Sequence, residues 1–189
     1  MKIFDLIKNR RTIHSFSGDA VSDETFRHAI EAAVHAPNHH LTWPWFFIRV
    51  ENKKREQLAD LHVRLKSTKS PMTEVAKAAT RAKILEPPIL LMAGIKKPDA
   101  SARTYSDQTK EDYASLACAI QNMALYLWSE NVGLKWSTGG LIRSPETYSL
   151  LGISPETHEI AGVIFIGYPK ATPNKPERPA SDQFYWSVR

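Results

Sequence analysis

The sequence predicts an α+β fold with helices packed against a sheet, and three observations predict it. The runs WFFIRVE, PILLMAGI and EIAGVIFIGYP are rich in aromatic and β-branched residues or continuously apolar, and read as strands. Helical patterns separate them. The longest of these, from Glu111 to Glu130, lies between the second strand and the last and repeats Leu116, Ala117, Ile120, Met123, Ala124 and Leu127 along its inner face. At 189 residues the chain is sized for a single domain, 1–189, with one sizeable core.

The elements follow in order. IFDLIKN places Ile3, Phe4 and Ile7 on a short helix that stops at Arg10 to Thr12. SDETFRHAIEAAVHA opens on Ser22 as N-cap, has Asp23 and Glu24 in its first turn, and repeats Phe26, Ala29, Ile30 and Ala33 on one face. Pro37 limits that helix. KKREQLADLHVRLKS and MTEVAKAATRAKILE are polar helices around a break at Ser70 and Pro71. Residues 97–107 are polar and read as a loop, and PETYSLL as a short helix between GLKWSTGG and the last strand. The tail from Lys170 to Arg189 is too polar for a core helix, while Phe184, Tyr185 and Trp186 suit an extended arm packed on another subunit.

Apolar residues at 42% and charged residues at 24% exclude wholesale disorder. The formal charge of +5 favours phosphate-bearing partners, yet the basic residues are scattered, so no nucleic-acid partner is expected. Cys118 is the only cysteine, which leaves no disulfide framework and fits a reducing, cytoplasmic setting. No apolar run reaches the length of a membrane span, and MKIFDLIKNRR lacks the apolar segment of a signal peptide, so no membrane partner is expected.

Four constellations could carry chemistry. In RRTIHSF, Arg10 and Arg11 form either a solvated helix end or a bidentate clamp for a phosphate, with the Thr12 hydroxyl as a further donor. In PNHHLTWPWFF the adjacent histidines of an extended segment point opposite ways and make a poor chelate, so no metal site is expected. In GLKWSTGG two glycines follow Trp136, Ser137 and Thr138, where backbone N–H groups can approach a ligand closely. The tail carries Lys170, Lys175 and Arg178, each of which alone reads as solvated charge.

Their order and spacing are more telling than any one of them. An arginine-rich turn ending the first helix, an AP…PWFF stretch after the second, a long Ala-rich helix closing on Glu130 and NVGLKW, and a terminal GYP strand with a basic tail resemble the nitroreductase family of flavin mononucleotide (FMN) enzymes. More narrowly, the chain is similar to that family's compact branch, which carries a histidine before the proline-tryptophan pair. The resemblance spans essentially the whole chain. It implies a mostly antiparallel central sheet flanked by helices, a homodimer whose 170–189 arm is exchanged, and FMN as cofactor.

The resemblance also implies roles. Arg10 and Thr12 hold the FMN phosphate with Arg11 beside them, and Lys175 or Arg178 adds a phosphate contact. His14 stands where the family has a Lys or Arg facing the pyrimidine edge of the flavin, a weaker stabiliser of negative charge at N1 and O2 unless protonated. Leu41 and Trp43 occupy the region where longer members carry a ring-binding Asn. His35 and His39 reach the flavin of the other subunit, while Trp136, Ser137, Thr138 and Gly139 lie along the ring. The implied reaction is ping-pong hydride transfer from NAD(P)H to a nitroaromatic, a quinone or a similar small acceptor, with no side chain as nucleophile. FMN rather than FAD is expected, since the turn offers one phosphate site and no GxGxxG loop is present. Two rival classes remain: a non-catalytic flavin-binding redox protein, and a basic module stacking nucleic-acid bases on Trp43 and Trp45.

Overall fold

The computed structural model describes residues 2–98 and 105–188. In chain order the elements are α1 (Ile3–Asn9), α2 (Asp23–Val34), β1 (Trp45–Arg49), α3 (Asn52–Ser67), α4 (Glu74–Leu85), β2 (Ile89–Lys96), α5 (Tyr105–Ser129), β3 (Gly133–Ser137), α6 (Gly140–Arg143), α7 (Pro145–Leu151) and β4 (His158–Gly167). Local chemistry sets several of these bounds. The Ser22 side chain accepts from the Thr25 N–H to open α2, and that of Thr73 accepts from the Ala76 N–H to open α4. Gly152, at φ 70°, closes α7 in the left-handed conformation that a Cβ disfavours.

The strands form one sheet in the order β1-β2-β4-β3, antiparallel at every step. Because successive strand residues face opposite ways, the sheet carries a core on each side. One core joins Leu91, Ala93, Ile164 and Ile166 to Ala29 and Ala33 of α2 and to Leu116, Ile120, Met123 and Leu127 of α5. The other joins Leu90, Met92, Val163 and Phe165 to Leu58 and Leu61 of α3, Ile84 of α4, Leu141 of α6 and Tyr148 of α7. The α+β reading with helices on a central antiparallel sheet therefore holds.

Three expectations change. GLKWS is a fourth strand, β3, which the short run and the glycine pair after it made look like a ligand loop. Helix α5 starts at Tyr105 rather than Glu111, so the expected 97–107 loop is shorter, and its residues 99–104 lie outside the described residues. Helix α2 ends at Val34, with His35 as C-cap, before Pro37 is reached. Beyond Pro169 every described tail residue is exposed, and Trp186 retains 77% of its accessible surface.

Candidate functional site

The site begins where α1 stops. The Arg10 N–H donates to the Leu6 carbonyl and ends the helix. The chain then runs extended beside β3: Thr12 bridges Leu134 in parallel, the Ile13 N–H donates to the Leu134 carbonyl at 3.2 Å, and Phe16 bridges Pro169. Ile13 is fully buried and anchors the segment. Four residues of extended chain span roughly 13 Å, which separates Arg10 at one end of the segment from His14 at the other.

At the Arg10 end lies a cavity of about 670 Å³ lined by Lys8, Arg10, Lys175 and Arg178, with Gln121 of α5 and Glu177. The structure thus brings the arginine turn and the basic tail together. The Arg10 Nε is buried without a hydrogen-bond partner. Burial, followed by the charges of Arg11 and Arg178, lowers the Arg10 pKa, although a guanidinium stays protonated at neutral pH. A buried donor beside like charges is stabilised by an anion that accepts from it, so the residues fit a phosphate group. Arg11 does not line this cavity: its Nη1 donates to the carbonyls of Lys8 and Arg10, at 2.9 and 2.7 Å, and caps α1. Its side chain contributes field rather than contact. Thr12 is exposed between the two ends.

At the His14 end lies a second cavity, of about 700 Å³, within the size range of cofactor and ligand sites. His14, Ser137, Thr138 and Gly139 all line it. Trp136 does not. Alternation along β3 turns its indole to the opposite face, where Nε1 donates to the Ala161 carbonyl at 3.3 Å. There the indole occupies the space above Gly162, only 1.9 Å from where a Cβ would stand. Trp136 therefore packs the core behind the cavity instead of lining it.

Sequence reasoning missed the lysines. Lys66 of α3, Lys69 in the turn that follows it, Lys83 of α4 and Lys135 of β3 line the second cavity, where Glu86 is the one carboxylate. Burial, then Lys83 and Lys66, lowers the Lys135 pKa. Burial, then Lys66 and Lys83, pushes the pKa of His62 down to about 4, so this imidazole is neutral at pH 7. The missed signal was the alternation of Leu134, Lys135, Trp136 and Ser137, which puts Lys135 beside Ser137 once the stretch is read as a strand.

His35 and His39 are exposed and line neither cavity. The loop that displays His39 is held firmly. The Asn38 carboxamide oxygen accepts from the Trp43 N–H at 2.8 Å, Thr42 Oγ1 donates to the buried Asp112 carboxylate at 2.7 Å, and Ser115 Oγ donates to the Pro37 carbonyl at 2.7 Å. These bonds offset a strained backbone: His40, Leu41 and Trp43 have φ of 57°, 52° and 46°, a region that side chains with a Cβ rarely enter. Among the described residues no group of three or more His, Cys, Asp or Glu could hold a metal ion, and no helix is long and apolar enough to cross a membrane.

The model of the Nitroreductase family matches residues 7–168, which include the Arg10 turn, the sheet and both core-forming helix layers. The chain belongs to the nitroreductase family. As a nitroreductase family member it is 29% identical over 183 residues to YfhC of Bacillus subtilis, whose name carries a provisional NAD(P)H nitroreductase assignment; 95% of this chain and 91% of YfhC are covered. A nitroreductase-like family protein from Bacillus cereus has the same fold at a TM-score of 0.81 and 24% identity, with 100% of this chain and 96% of that one covered. The FMN-dependent nitroreductase NfnB of Mycobacterium smegmatis, solved with NADPH, superposes at a TM-score of 0.74 and 19% identity, covering 98% and 97% of the two chains.

Proposed function

We propose that this nitroreductase family member is an FMN-dependent oxidoreductase that moves a hydride from NAD(P)H to a nitroaromatic, a quinone or a similar acceptor, the two substrates taking turns at one site. The observation that carries the reading is the joining of Arg10, Lys175 and Arg178 around one cavity, with the Arg10 Nε buried and unpartnered. It is supported by the family, by the name of YfhC and by the FMN and NADPH of NfnB.

When bound, FMN supplies the two-electron relay, taking hydride from NAD(P)H, which leaves as NAD(P)⁺, and passing both electrons to the acceptor. The chain binds and tunes. Arg10, Lys175 and Arg178 hold the phosphate, and the Thr12 hydroxyl, between the two cavities, adds a donor. His14 and the Ser137, Thr138 and Gly139 turn wall the ring end. Lys135, on the same wall, is a fixed cation that adds to what His14 offers to negative charge there. No side chain is assigned as nucleophile.

The proposal includes a homodimer. His35 and His39 of each chain face the flavin of the other subunit, and the 170–189 arm crosses to the partner. Exposed apolar side chains support it: Phe4 on α1, Leu41 and Trp43 beside the histidines, and Phe184, Tyr185 and Trp186 in the arm. The test is direct. The purified protein should be yellow, release FMN on denaturation, and oxidise NAD(P)H when a quinone or nitroaromatic is added. A colourless protein that gains no flavin spectrum with added FMN would overturn the reading, and one that binds FMN but does not turn over would make it a flavin carrier.

A further inference from the structure

Resting on that reading, we propose that one of the two small molecules handled at this site is recognised as an anion, its carboxylate or phosphate group held by Lys66, Lys69, Lys83 and Lys135 in the cavity beside His14.

The charge lining this cavity is unmatched. Four lysines line this cavity and a single carboxylate, that of Glu86, lines it with them. Among the described residues no ion pair joins any of the four to an acid, whereas five of the chain's other lysines and arginines do form such pairs. The lysines also converge from separate parts of the chain: Lys66 stands in the last turn of α3, Lys69 in the turn after it, Lys83 comes from α4 and Lys135 from β3. Lys66, Lys69 and Lys83 are exposed and Lys135 is half-buried, and all four border one cavity of about 700 Å³, so their fields add there.

Lys135 is the anchor. It is half-buried, its ammonium stands 5.7 Å from the centre of the Phe165 ring, and Lys83 and Lys66 are near enough to depress its protonation along with burial. Mutual repulsion of this kind is relieved by an anion. FMN does not use it up. In the proposed reading its phosphate is held in the Arg10 cavity, and its ring carries at most one negative charge, in the reduced form. Surplus positive charge remains for a substrate. His62, which stays neutral, adds a dipolar wall and no competing charge.

Two sources offer this chemistry: an acceptor bearing a carboxylate, and the extra phosphate of NADPH. The oxidised holoenzyme is first shown to hold FMN and to oxidise NADH with an uncharged quinone, which tests the underlying reading separately. Benzoate and benzamide are then titrated into it and the flavin absorbance followed. Benzoate is expected to bind at least tenfold more tightly, with an affinity that weakens as salt is raised. In parallel, kcat/KM is compared for 4-nitrobenzoate against nitrobenzene and for NADPH against NADH. The double variant Lys66→Gln, Lys69→Gln should reduce the favoured ratio several-fold, and Lys135→Gln should reduce it further. A preference confined to the first pair identifies the acceptor, and one confined to the second identifies the donor. Equal binding of benzoate and benzamide, with both ratios near one in the flavin-loaded protein, overturns the proposal.

Discussion

The side chain of Ile13 occupies the space that a Cβ on Gly133 would need, its Cγ1 lying 2.3 Å from the position of that missing atom. Together with the Ile13 to Leu134 hydrogen bond, this close approach seats the arginine turn against β3 and sets the spacing between the two cavities. Gly133→Ala should therefore cost about 1–3 kcal/mol of stability by overpacking. It should also weaken FMN retention, because the turn must move outward. Thermal unfolding and flavin content measured on the same sample check this; an unchanged melting temperature with full flavin would show that the segment yields freely.

Arg10→Ala removes the guanidinium proposed to hold the FMN phosphate. FMN affinity should fall tenfold to a hundredfold, about 1.5–3 kcal/mol. Arg11→Ala should cost less affinity, since Arg11 bonds to the carbonyls of Lys8 and Arg10 and lines neither cavity. Fluorescence titration of the apoprotein with FMN distinguishes the two variants.

His14→Lys places a permanent cation on the second cavity. The reduction potential of the bound flavin should rise, because negative charge in the reduced state is then better stabilised. An equal or lower potential would put His14 away from the ring.

Thr42→Val deletes the donor that the buried Asp112 carboxylate uses at 2.7 Å. Leaving that charge short of a partner should cost about 1–3 kcal/mol. The loop bearing His39 loosens at the same time, so in the proposed dimer the subunit contact and FMN should be lost together at lower denaturant. Truncation before Phe184 should show the same joint loss in sedimentation. A monomer carrying a full complement of FMN would refute the shared-site arrangement.

His62 has a folded pKa of about 4 against an ordinary value of 6.5, so below pH 6.5 the unfolded chain takes up a proton that the folded chain refuses. Its contribution therefore lowers stability progressively as pH falls from about 6.5 to about 4, and is absent above that window. The melting temperature of His62→Gln should decline less over this range than that of the unaltered protein.

Much of this molecule was determined by local sequence. Ser22 and Thr73 each accept from a backbone N–H three residues on, so helix starts are properties of a few neighbouring side chains. The apolar runs of β2 and β4 and the inner face of α5 specify burial by composition alone. The order of the arginine turn, the proline-tryptophan stretch and the basic tail was enough to point to the family. Other features were decided by distant contacts. β3 is a strand because β4 offers it a paired edge, and that pairing, not the residues of GLKWS, turns Trp136 to the core and Lys135 and Ser137 to the cavity. Arg10 meets Lys175 and Arg178 only because the end of β4 returns the chain to the first turn, through the bridge between Phe16 and Pro169. Lys66, Lys69, Lys83 and Lys135 read singly as solvated charges, since convergence around a cavity depends on positions far apart in the chain, which no local pattern encodes.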